Sequence, residues 1–210
     1  MPAIFKSSNW FIGSIGKQMK LSKDFYLQED VVSLAQQLLG KRLCTRIDGK
    51  ITSGIITETE AYAGVTDRAS HAFGGRRTAR TEVMYAEGGT AYVYLCYGIH
   101  HLFNVVTNRE NIPHAVLIRA VKAEKGLPLI LARRNKVKPD KTLSGGPGTV
   151  SQALGIHVKH SGLHLSGTKI WIEDAGITFT SSEIKSGPRI GVDYAGEDAW
   201  LPYRFLVGLV

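Results

Sequence analysis

Residues 43–62 constrain the fold more than any other part of the sequence. Two apolar segments, LCTRI (43–47) and ITSGIITETEAY (51–62), flank the dipeptide Asp48-Gly49. Both residues of this dipeptide tolerate a positive φ, so the pattern predicts a β-hairpin with a two-residue turn. In the second strand, Glu58, Glu60 and Tyr62 alternate and would share one face. Two carboxylates and a phenol on one face either meet solvent or line a site, and both interpretations are open at this point.

The rest of the chain predicts one α+β domain. Residues 28–39 carry apolar side chains at helical spacing with a stop at Gly40, and further helices are expected near residues 127–135 and 149–156. Apolar and aromatic runs predict strands at residues 90–98, 102–107, 115–121, 168–174, 188–194 and 203–207. We expect a single domain over residues 21–210, built on a curved antiparallel sheet with flanking helices and long loops. Residues 1–20 lack sustained periodicity and are expected to form a mobile tail.

The charge balance and one long loop favour a polyanionic partner. The chain has 26 basic and 18 acidic residues and a formal net charge of +8, which favours nucleic acid first and an anionic membrane second. Residues 63–89 are rich in glycine and arginine, and long loops of this kind are often functional. The alternative is a solvated loop without a partner. The candidate phosphate-binding arginines are Arg68, Arg76, Arg77, Arg80, Arg133 and Arg134.

Several classes of protein and site are disfavoured. Cys44 and Cys96 form no CxxC or zinc spacing, and we expect free thiols in a reducing compartment. The segment WFIGSIG (10–16) is too short and glycine-interrupted to span a membrane, so we expect a cytoplasmic protein. The adjacent His100 and His101 would point to opposite strand faces, and no HExxH motif accompanies them, so no metal is expected. SGGPG (144–148) lacks the GK[ST] of a P-loop and is expected to be a turn before a helix, whose N–H groups could still touch a phosphate.

The strand at residues 90–98 suggests a way of binding nucleic acid. Tyr92 and Tyr94 alternate on one face, and Tyr97 falls at the end of the strand beside Gly98. A tyrosine in a strand most often belongs to the core or the sheet surface. A tyrosine at a turn in a basic protein can instead act as a wedge in a base stack. A base flipped out of the helix then needs aromatic faces, polar groups that read its edge, and phosphate contacts.

Seven segments in this order resemble the alkyladenine (3-methyladenine, methylpurine) DNA glycosylase family in its bacterial form. They are ETEAY at 58, SHAFGGRRTART at 70, GGTAYVYLCYG at 88, FNVVT at 103, VLIRAV at 116, SGGPG at 144 and RIGVDYAGEDAWLPYRF at 189. The resemblance covers about residues 21–207. It implies a monofunctional glycosylase of base excision repair that flips damaged purines out of double-stranded DNA. The expected lesions are 3-methyladenine, 7-methylguanine, hypoxanthine and ethenoadenine.

The resemblance also implies roles for individual residues. Glu60 would position and deprotonate the attacking water, and Arg119 would lie near that water and the sugar-phosphate. Tyr97 would take the place of the flipped nucleotide. The base would be bound by Tyr62 and Tyr94, which stack on it, by His71, which reads its edge, by Asn104, which clashes with the amine of normal guanine, and by the main chain at Gly191 and Val192. Glu58 is left without a catalytic role and is expected to be structural.

Physical chemistry supports the same division of roles. Hydrolysis of an N-glycosidic bond needs a water held at C1′ and a carboxylate that takes its proton and offsets the developing oxocarbenium charge. A neighbouring arginine favours the ionised carboxylate. No metal or other cofactor is required. Arg76, Arg77, Arg80 and Arg133 would contact the DNA backbone, and we expect a monomer acting on the bacterial nucleoid.

Some positions depart from the family pattern, and two other interpretations are open. Members closer to the vertebrate form have glycine where this chain has Asp193, and bulky apolar or aromatic residues where it has Ile99, His100 and His101. These differences concern DNA contacts and lesion preference. One alternative is a bifunctional glycosylase/lyase that uses the amine of Pro2, although this chain has no zinc spacing and carries Ala3 where such enzymes have an acidic residue. The other is a non-catalytic nucleic-acid-binding module of the same fold.

Overall fold

The protein is built on one antiparallel sheet of eight strands, as the sequence predicts. The structure is a computed structural model that describes residues 19–208. Six strands follow the order β3-β4-β5-β2-β1-β6, β8 pairs with β2, and β7 pairs with β8. The strands are β1 (Arg42–Ile47), β2 (Lys50–Tyr62), β3 (Ala91–Cys96), β4 (His100–Thr107), β5 (His114–Ala123), β6 (Ile170–Glu173), β7 (Lys185–Gly187) and β8 (Arg204–Leu206).

Four α-helices and several short 3₁₀ segments accompany the sheet in the described part of the chain. The helices are α1 (Lys23–Tyr26), α2 (Val31–Gln37), α3 (Leu127–Arg133) and α4 (Pro147–Leu154). The 3₁₀ segments are Gly64–Thr66, Phe73–Gly75, Glu82–Tyr85, Val158–His160 and Asp193–Trp200. No helix within residues 19–208 is long and apolar enough to cross a membrane. The α+β class is therefore confirmed.

The hairpin of β1 and β2 is confirmed in its predicted place. Asp48 and Gly49 have φ values of 50° and 73°, and Ile47 pairs with Lys50 across the turn. At 13 residues, β2 is long enough to pair with β1 at one end and with β5 and β8 at the other. Its far end, which carries Glu58, Glu60 and Tyr62, is thus held by strands on both sides.

Helix α2 begins later and ends earlier than the predicted span of 28–39. Its N-cap is Asp30, whose carboxylate accepts hydrogen bonds from the backbone N–H groups of Val32 and Ser33. A side-chain acceptor at this position satisfies N–H groups that have no partner within the helix. The chain leaves the helix through Gly40, which has a φ of 82°. The cap chemistry, not the apolar periodicity, decides where this helix starts.

The two faces of the sheet have different neighbours. The main core packs α2, α3 and α4 against residues such as Val93, Phe103 and Val116. Side chains alternate along a strand, so Tyr92, Val106 and Ala115 face the other way and form a second, smaller cluster. That cluster includes Ala72, Met84 and Tyr85 from the loop of residues 63–89, which we call the arginine-rich loop. The loop therefore covers the face of the sheet that carries Glu60 and Tyr62.

The prediction of a strand at residues 188–194 is wrong. Strand β7 ends at Gly187, and residues 193–200 form a 3₁₀ segment. The intervening residues do not continue the ladder, because Gly191 has a φ of 79° and the Ile190 N–H donates to the Glu60 carboxylate at 2.8 Å. A backbone donor that pairs with a buried side chain is not available to a strand. The apolar alternation of Ile190 and Val192 was misleading here.

The ends of the chain are described only in part. The predicted mobile tail lies outside the described residues up to residue 18, and residues 209–210 also lie outside them. Lys20 forms a β-bridge with Glu173 on the edge strand β6, and the Leu21 N–H donates to Ile172 O at 2.9 Å. Lys20, which the prediction placed in the tail, therefore pairs with the edge of the sheet.

Gly88 packs against the backbone of Tyr26 and Asn108, and a substitution there tests this contact. A Cβ atom there would lie 2.5 Å from Tyr26 O and 2.8 Å from Asn108 O, both backbone atoms that cannot move independently. We expect Gly88→Ala to lower the free energy of unfolding by about 1–3 kcal/mol because the chain must shift to relieve the overlap. Urea denaturation measures this. Gly187→Ala, where nothing lies within 4 Å of the added atom, should stay within about 0.5 kcal/mol of wild type, and equal effects at both positions would contradict the packing described.

Candidate active site

A cavity of about 510 Å³ lies on the sheet face opposite the main core. Its size falls in the range of small-molecule sites. Strands β2 to β5 supply its floor, the arginine-rich loop one wall, and residues 146–149 and 190–194 the others. Its lining includes the predicted site residues Tyr62, His71, Arg80, Tyr94, Tyr97, Asn104, Arg119, Gly191 and Val192. Strand alternation and the loops therefore bring most of the predicted site together.

Glu60 lies behind the cavity wall and is completely buried. Its Oε1 accepts from Ile190 N at 2.8 Å and lies 3.2 Å from Arg119 Nη1. Its Oε2 accepts from the Tyr62 hydroxyl at 2.8 Å. All three donor residues line the cavity, although Glu60 itself does not. A carboxylate has about four acceptor positions, so these three donors leave room for one more hydrogen bond.

Arg119 links the two glutamates of β2. Its Nε lies 3.1 Å from Glu58 Oε1, while its Nη1 reaches Glu60. The pairing of β2 with β5 shifts register on both sides of Glu58, and Arg119 has no Cα partner there. Such irregularities redirect side chains. The arginine that the resemblance placed near the water is thus in contact with the predicted catalytic glutamate.

Tyr62 has one ring face against a buried cation. Arg189 Cζ lies 4.9 Å from the centre of the Tyr62 ring, within the range of a cation–π contact. Burial raises the pKa of the Tyr62 hydroxyl well above its usual value, and the negative charge of Glu60 acts in the same direction. The phenol therefore stays protonated and donates to Glu60.

His71, Tyr92 and Tyr94 form one aromatic group. The rings of His71 and Tyr94 meet edge to face at 4.7 Å, and His71 Nδ1 lies 2.9 Å from the Tyr92 hydroxyl. Burial, together with the nearby charges of Arg80 and Arg76, lowers the pKa of His71 to about 4. The imidazole is consequently neutral at physiological pH and can both donate and accept a hydrogen bond.

Asn104, Gly191 and Val192 also line the cavity. The Asn104 amide nitrogen donates to the backbone oxygens of Tyr92 and Leu102 at 3.2 and 3.3 Å, which fixes the orientation of the side chain in the cavity floor. Gly191 lies at the cavity wall, and Val192 is buried beneath it against Ala69 and Ala195.

Tyr97 stands at the rim of the cavity in the turn between β3 and β4. Cys96 pairs with His100, so that Tyr97, Gly98 and Ile99 form a three-residue loop. Tyr97 has a φ of 50°, an uncommon conformation for a residue other than glycine. It is 89% exposed, and Ile99 is 71% exposed. Two large apolar side chains exposed in the same turn form a candidate contact surface.

The predicted backbone-contacting arginines do not all lie together. Arg80 lines the cavity, with its Cζ 5.0 Å from the centre of the Tyr94 ring, and Arg76 is exposed nearby in the same loop. Arg77 is engaged by Glu82 at 2.7 Å and packs on the Tyr85 ring. Arg133 is half-buried and donates to Thr52 Oγ1 and Ala153 O at 3.2 and 3.1 Å. Arg133 thus stabilises the end of α4, away from the cavity.

Sequence reasoning missed three parts of the site. The first is the buried pair of Arg189 and Asp67, and the second is Tyr194, which lines the cavity. The third is the start of α4, where Gly148 lies so close to His100 that a Cβ atom would be 2.9 Å from its Nδ1. The SGGPG motif was a signal for this third part, whereas a buried arginine within an apolar run gives none.

The histidine and cysteine side chains considered as metal ligands or reactive groups contact other parts of the protein. His101 Nδ1 accepts from Val158 N at 3.2 Å, and its ring meets that of His157 at 4.8 Å. Over residues 19–208, no group of three or more His, Cys, Asp or Glu side chains could hold a metal ion. Cys44 and Cys96 are free thiols, and burial raises the pKa of Cys44 to about 12.

Comparison with known proteins identifies the family. Residues 24–208 match the model of the methylpurine-DNA glycosylase family. The chain belongs to this family. A relative from Chlamydia felis is 49% identical over 190 residues, which cover 90% of this chain and 96% of its own. A relative from Bacillus cytotoxicus is 44% identical over 195 residues, with 89% and 95% covered. Both carry the name "Putative 3-methyladenine DNA glycosylase".

Membership in this family settles the class of reaction. DNA glycosylases are hydrolases that act on N-glycosyl bonds, and this protein is an enzyme of that class in DNA repair. Pro2, on which the lyase alternative depends, lies outside the described residues, and the family match favours the other assignment. The match equally disfavours a non-catalytic binding module.

The neutral state of His71 has a measurable consequence for stability. Its pKa is about 4 in the folded protein against an ordinary 6.5. Between these values the unfolded chain binds a proton that the folded one does not, so stability falls as the pH is lowered from about 6.5 to about 4. We expect His71→Gln to show a shallower fall over this window in urea denaturation. Burial also lowers the pKa of His160 to about 4, so part of the slope should persist. An unchanged slope in the variant would contradict a neutral His71.

Proposed function

We propose that this enzyme flips damaged purines out of duplex DNA into the cavity and hydrolyses their N-glycosidic bond with a water activated by Glu60. The proposed lesions are 3-methyladenine, 7-methylguanine, hypoxanthine and ethenoadenine. The observation that carries the proposal is the Glu60 carboxylate, which is buried directly behind the wall of a base-sized aromatic cavity and paired with Arg119. A fully buried carboxylate is rare unless it is paired or functional.

The cavity has the groups that a flipped base needs. The rings of Tyr62 and Tyr94 both line it, and a base can stack on such faces. Alkylation at N3 or N7 gives the purine a positive charge, which strengthens its contact with an electron-rich ring. In this proposal the neutral His71 reads the edge of the base, the main chain at Gly191 and Val192 contacts the flipped nucleotide, and Asn104 excludes the exocyclic amine of guanine.

The chemistry follows from the surroundings of Glu60. The water oxygen bonds to C1′ as the C1′–N bond breaks, the base leaves with the bonding electrons, and Glu60 takes the proton of the water. The negative charge of Glu60 offsets the oxocarbenium charge that develops on the sugar. Arg119 holds the carboxylate in position through the contact of its Nη1 with Glu60 Oε1. Methylated bases leave readily because they are cationic, whereas hypoxanthine and ethenoadenine depend more on protonation of the leaving base.

The DNA is proposed to bind across the mouth of the cavity. Tyr97 and Ile99, the most exposed apolar residues at the rim, would enter the space that the flipped nucleotide leaves. In this proposal Arg76 and Arg80 contact phosphates next to the flipped nucleotide, and so does Arg77, although Glu82 already engages its guanidinium. The position of Arg133 against α4 argues against its predicted DNA contact. Action as a monomer on the nucleoid in the bacterial cytoplasm stays a prediction.

Glu60→Gln tests the proposed catalytic role. We expect the variant to bind a hypoxanthine-containing duplex as tightly as wild type, but to release the base about 10²- to 10⁴-fold more slowly, because the amide cannot take a proton from water. Single-turnover base release and a gel-shift titration measure the two quantities. The control is Glu173→Gln, which also removes a carboxylate from an arginine, Arg42, where β1 pairs with the edge strand β6, and should keep the wild-type rate. Base release that survives Glu60→Gln would exclude the proposed role.

Tyr97→Ser tests the proposed wedge. We expect it to weaken binding to a lesion-containing duplex much more than binding to undamaged DNA, because only the flipped state needs the ring. Nonspecific binding depends on phosphate contacts and falls with salt in both proteins. Affinities for matched duplexes with and without hypoxanthine, at two salt concentrations, check this. Equal losses on both duplexes would show that Tyr97 has no part in flipping.

A further inference from the structure

Glu58, the second glutamate of β2, is at the centre of a buried charge network. Its Oε1 lies 3.1 Å from Arg119 Nε and 2.6 Å from Arg204 Nε. Arg119 in turn reaches Glu60 Oε1 at 3.2 Å. Arg119 therefore bridges two carboxylates, and Arg204 supplies the second positive charge. The network has two negative and two positive groups and is formally neutral.

The network is shielded from solvent, so its charges interact strongly. The exposed fractions of the side chains are 15% for Glu58, 11% for Arg119, 0% for Glu60 and 27% for Arg204. Charges removed from water are expensive unless paired, and the removal of one partner leaves another uncompensated. Loss of the charge on Glu58 would leave Arg119 and Arg204 near a single carboxylate, that of Glu60.

The backbone does not place Arg119 unaided. The ladder between β2 and β5 is irregular on both sides of Glu58, and Arg119 is left without a Cα partner. Arg204 lies opposite Glu60 in the pairing of β2 with β8, yet its Nε binds Glu58 diagonally. Both arginines thus turn toward Glu58, whose Oε1 contacts the Nε atom of each.

We propose that Glu58 is a positioning residue, which with Arg204 holds the Arg119 guanidinium against Glu60 and thereby sets the rate of base release. This inference rests on the proposed catalytic role of Glu60. Neither Glu58 nor Arg204 lines the cavity, whereas Arg119 does. Glu58 acts on the reaction through Arg119 alone. A displacement of about 1 Å in such a group can cost roughly a hundredfold in rate.

The test uses Glu58→Gln, Arg119→Gln and the double variant that carries both substitutions. Each is compared with Glu60→Gln. The control is Glu173→Gln, whose side chain is also 15% exposed and also faces an arginine. Three quantities are measured for each protein on a hypoxanthine-containing duplex: the single-turnover rate, the dissociation constant, and the fluorescence of a 2-aminopurine placed beside the lesion, which reports unstacking. A melting temperature checks that each variant is folded.

The expected result separates chemistry from binding. Glu58→Gln should lower the single-turnover rate by about tenfold to a hundredfold, with unstacking and affinity close to those of wild type. In the Arg119→Gln background, the same substitution should have no further effect on the rate, because residues that act as a unit are non-additive. Glu173→Gln should leave all three quantities unchanged.

Four results would overturn the inference. A wild-type rate in Glu58→Gln, while Glu60→Gln is inactive, would leave the proposed function in place and remove only the role of Glu58. Equal losses of rate, affinity and unstacking, or a further loss of rate in the double variant, would assign Glu58 a general structural role. An active Glu60→Gln would exclude the proposed function and the inference together.

Discussion

The candidate site depends on the buried ion pair of Arg189 and Asp67. The Arg189 guanidinium also donates to Ala61 O at 2.9 Å and Asp198 O at 3.0 Å, and the Asp67 carboxylate accepts from Ala63 N and Ala69 N at 3.0 and 2.9 Å. One pair thus joins the end of β2, the start of the arginine-rich loop and the segment that follows β7. Because Ile190 comes directly after Arg189, the same contact directs the Ile190 N–H at Glu60. A buried pair with this many hydrogen bonds specifies one arrangement.

The two glutamates of ETEAY are chemically alike, and their surroundings separate them. Glu60 has no exposed surface and receives one backbone, one phenolic and one guanidinium donor, all from residues of the cavity wall. Glu58 faces two arginines and lies outside the cavity lining. Arg119 connects them across an irregular stretch of the ladder. In this account the sheet supplies both the carboxylate that acts on water and the carboxylate that holds its partner.

Much of this arrangement could be predicted from the sequence, because strand alternation and turn chemistry are local. The hairpin at Asp48-Gly49, the shared face of Glu60 and Tyr62, and the family itself were predicted correctly. The structure of residues 188–194 was predicted wrongly. The Ile190 N–H could donate to a neighbouring strand or to the Glu60 carboxylate, and only the folded chain shows that it donates to Glu60. Arg133 was also predicted wrongly from the sequence, which suggested a phosphate contact. Because α3 packs on α4, the Arg133 guanidinium donates to Ala153 O instead.

The central claim is that Glu60 holds a water at C1′ of a flipped nucleotide whose base is stacked on Tyr62 and Tyr94. The most direct test is a crystal structure of the Glu60→Gln variant bound to duplex DNA that contains ethenoadenine. We predict the lesion in the cavity with its plane against both rings, Tyr97 in the vacated stack, and a water between C1′ and residue 60. A lesion that stays stacked in the helix, or a flipped sugar whose C1′ is out of reach of residue 60, would contradict the account.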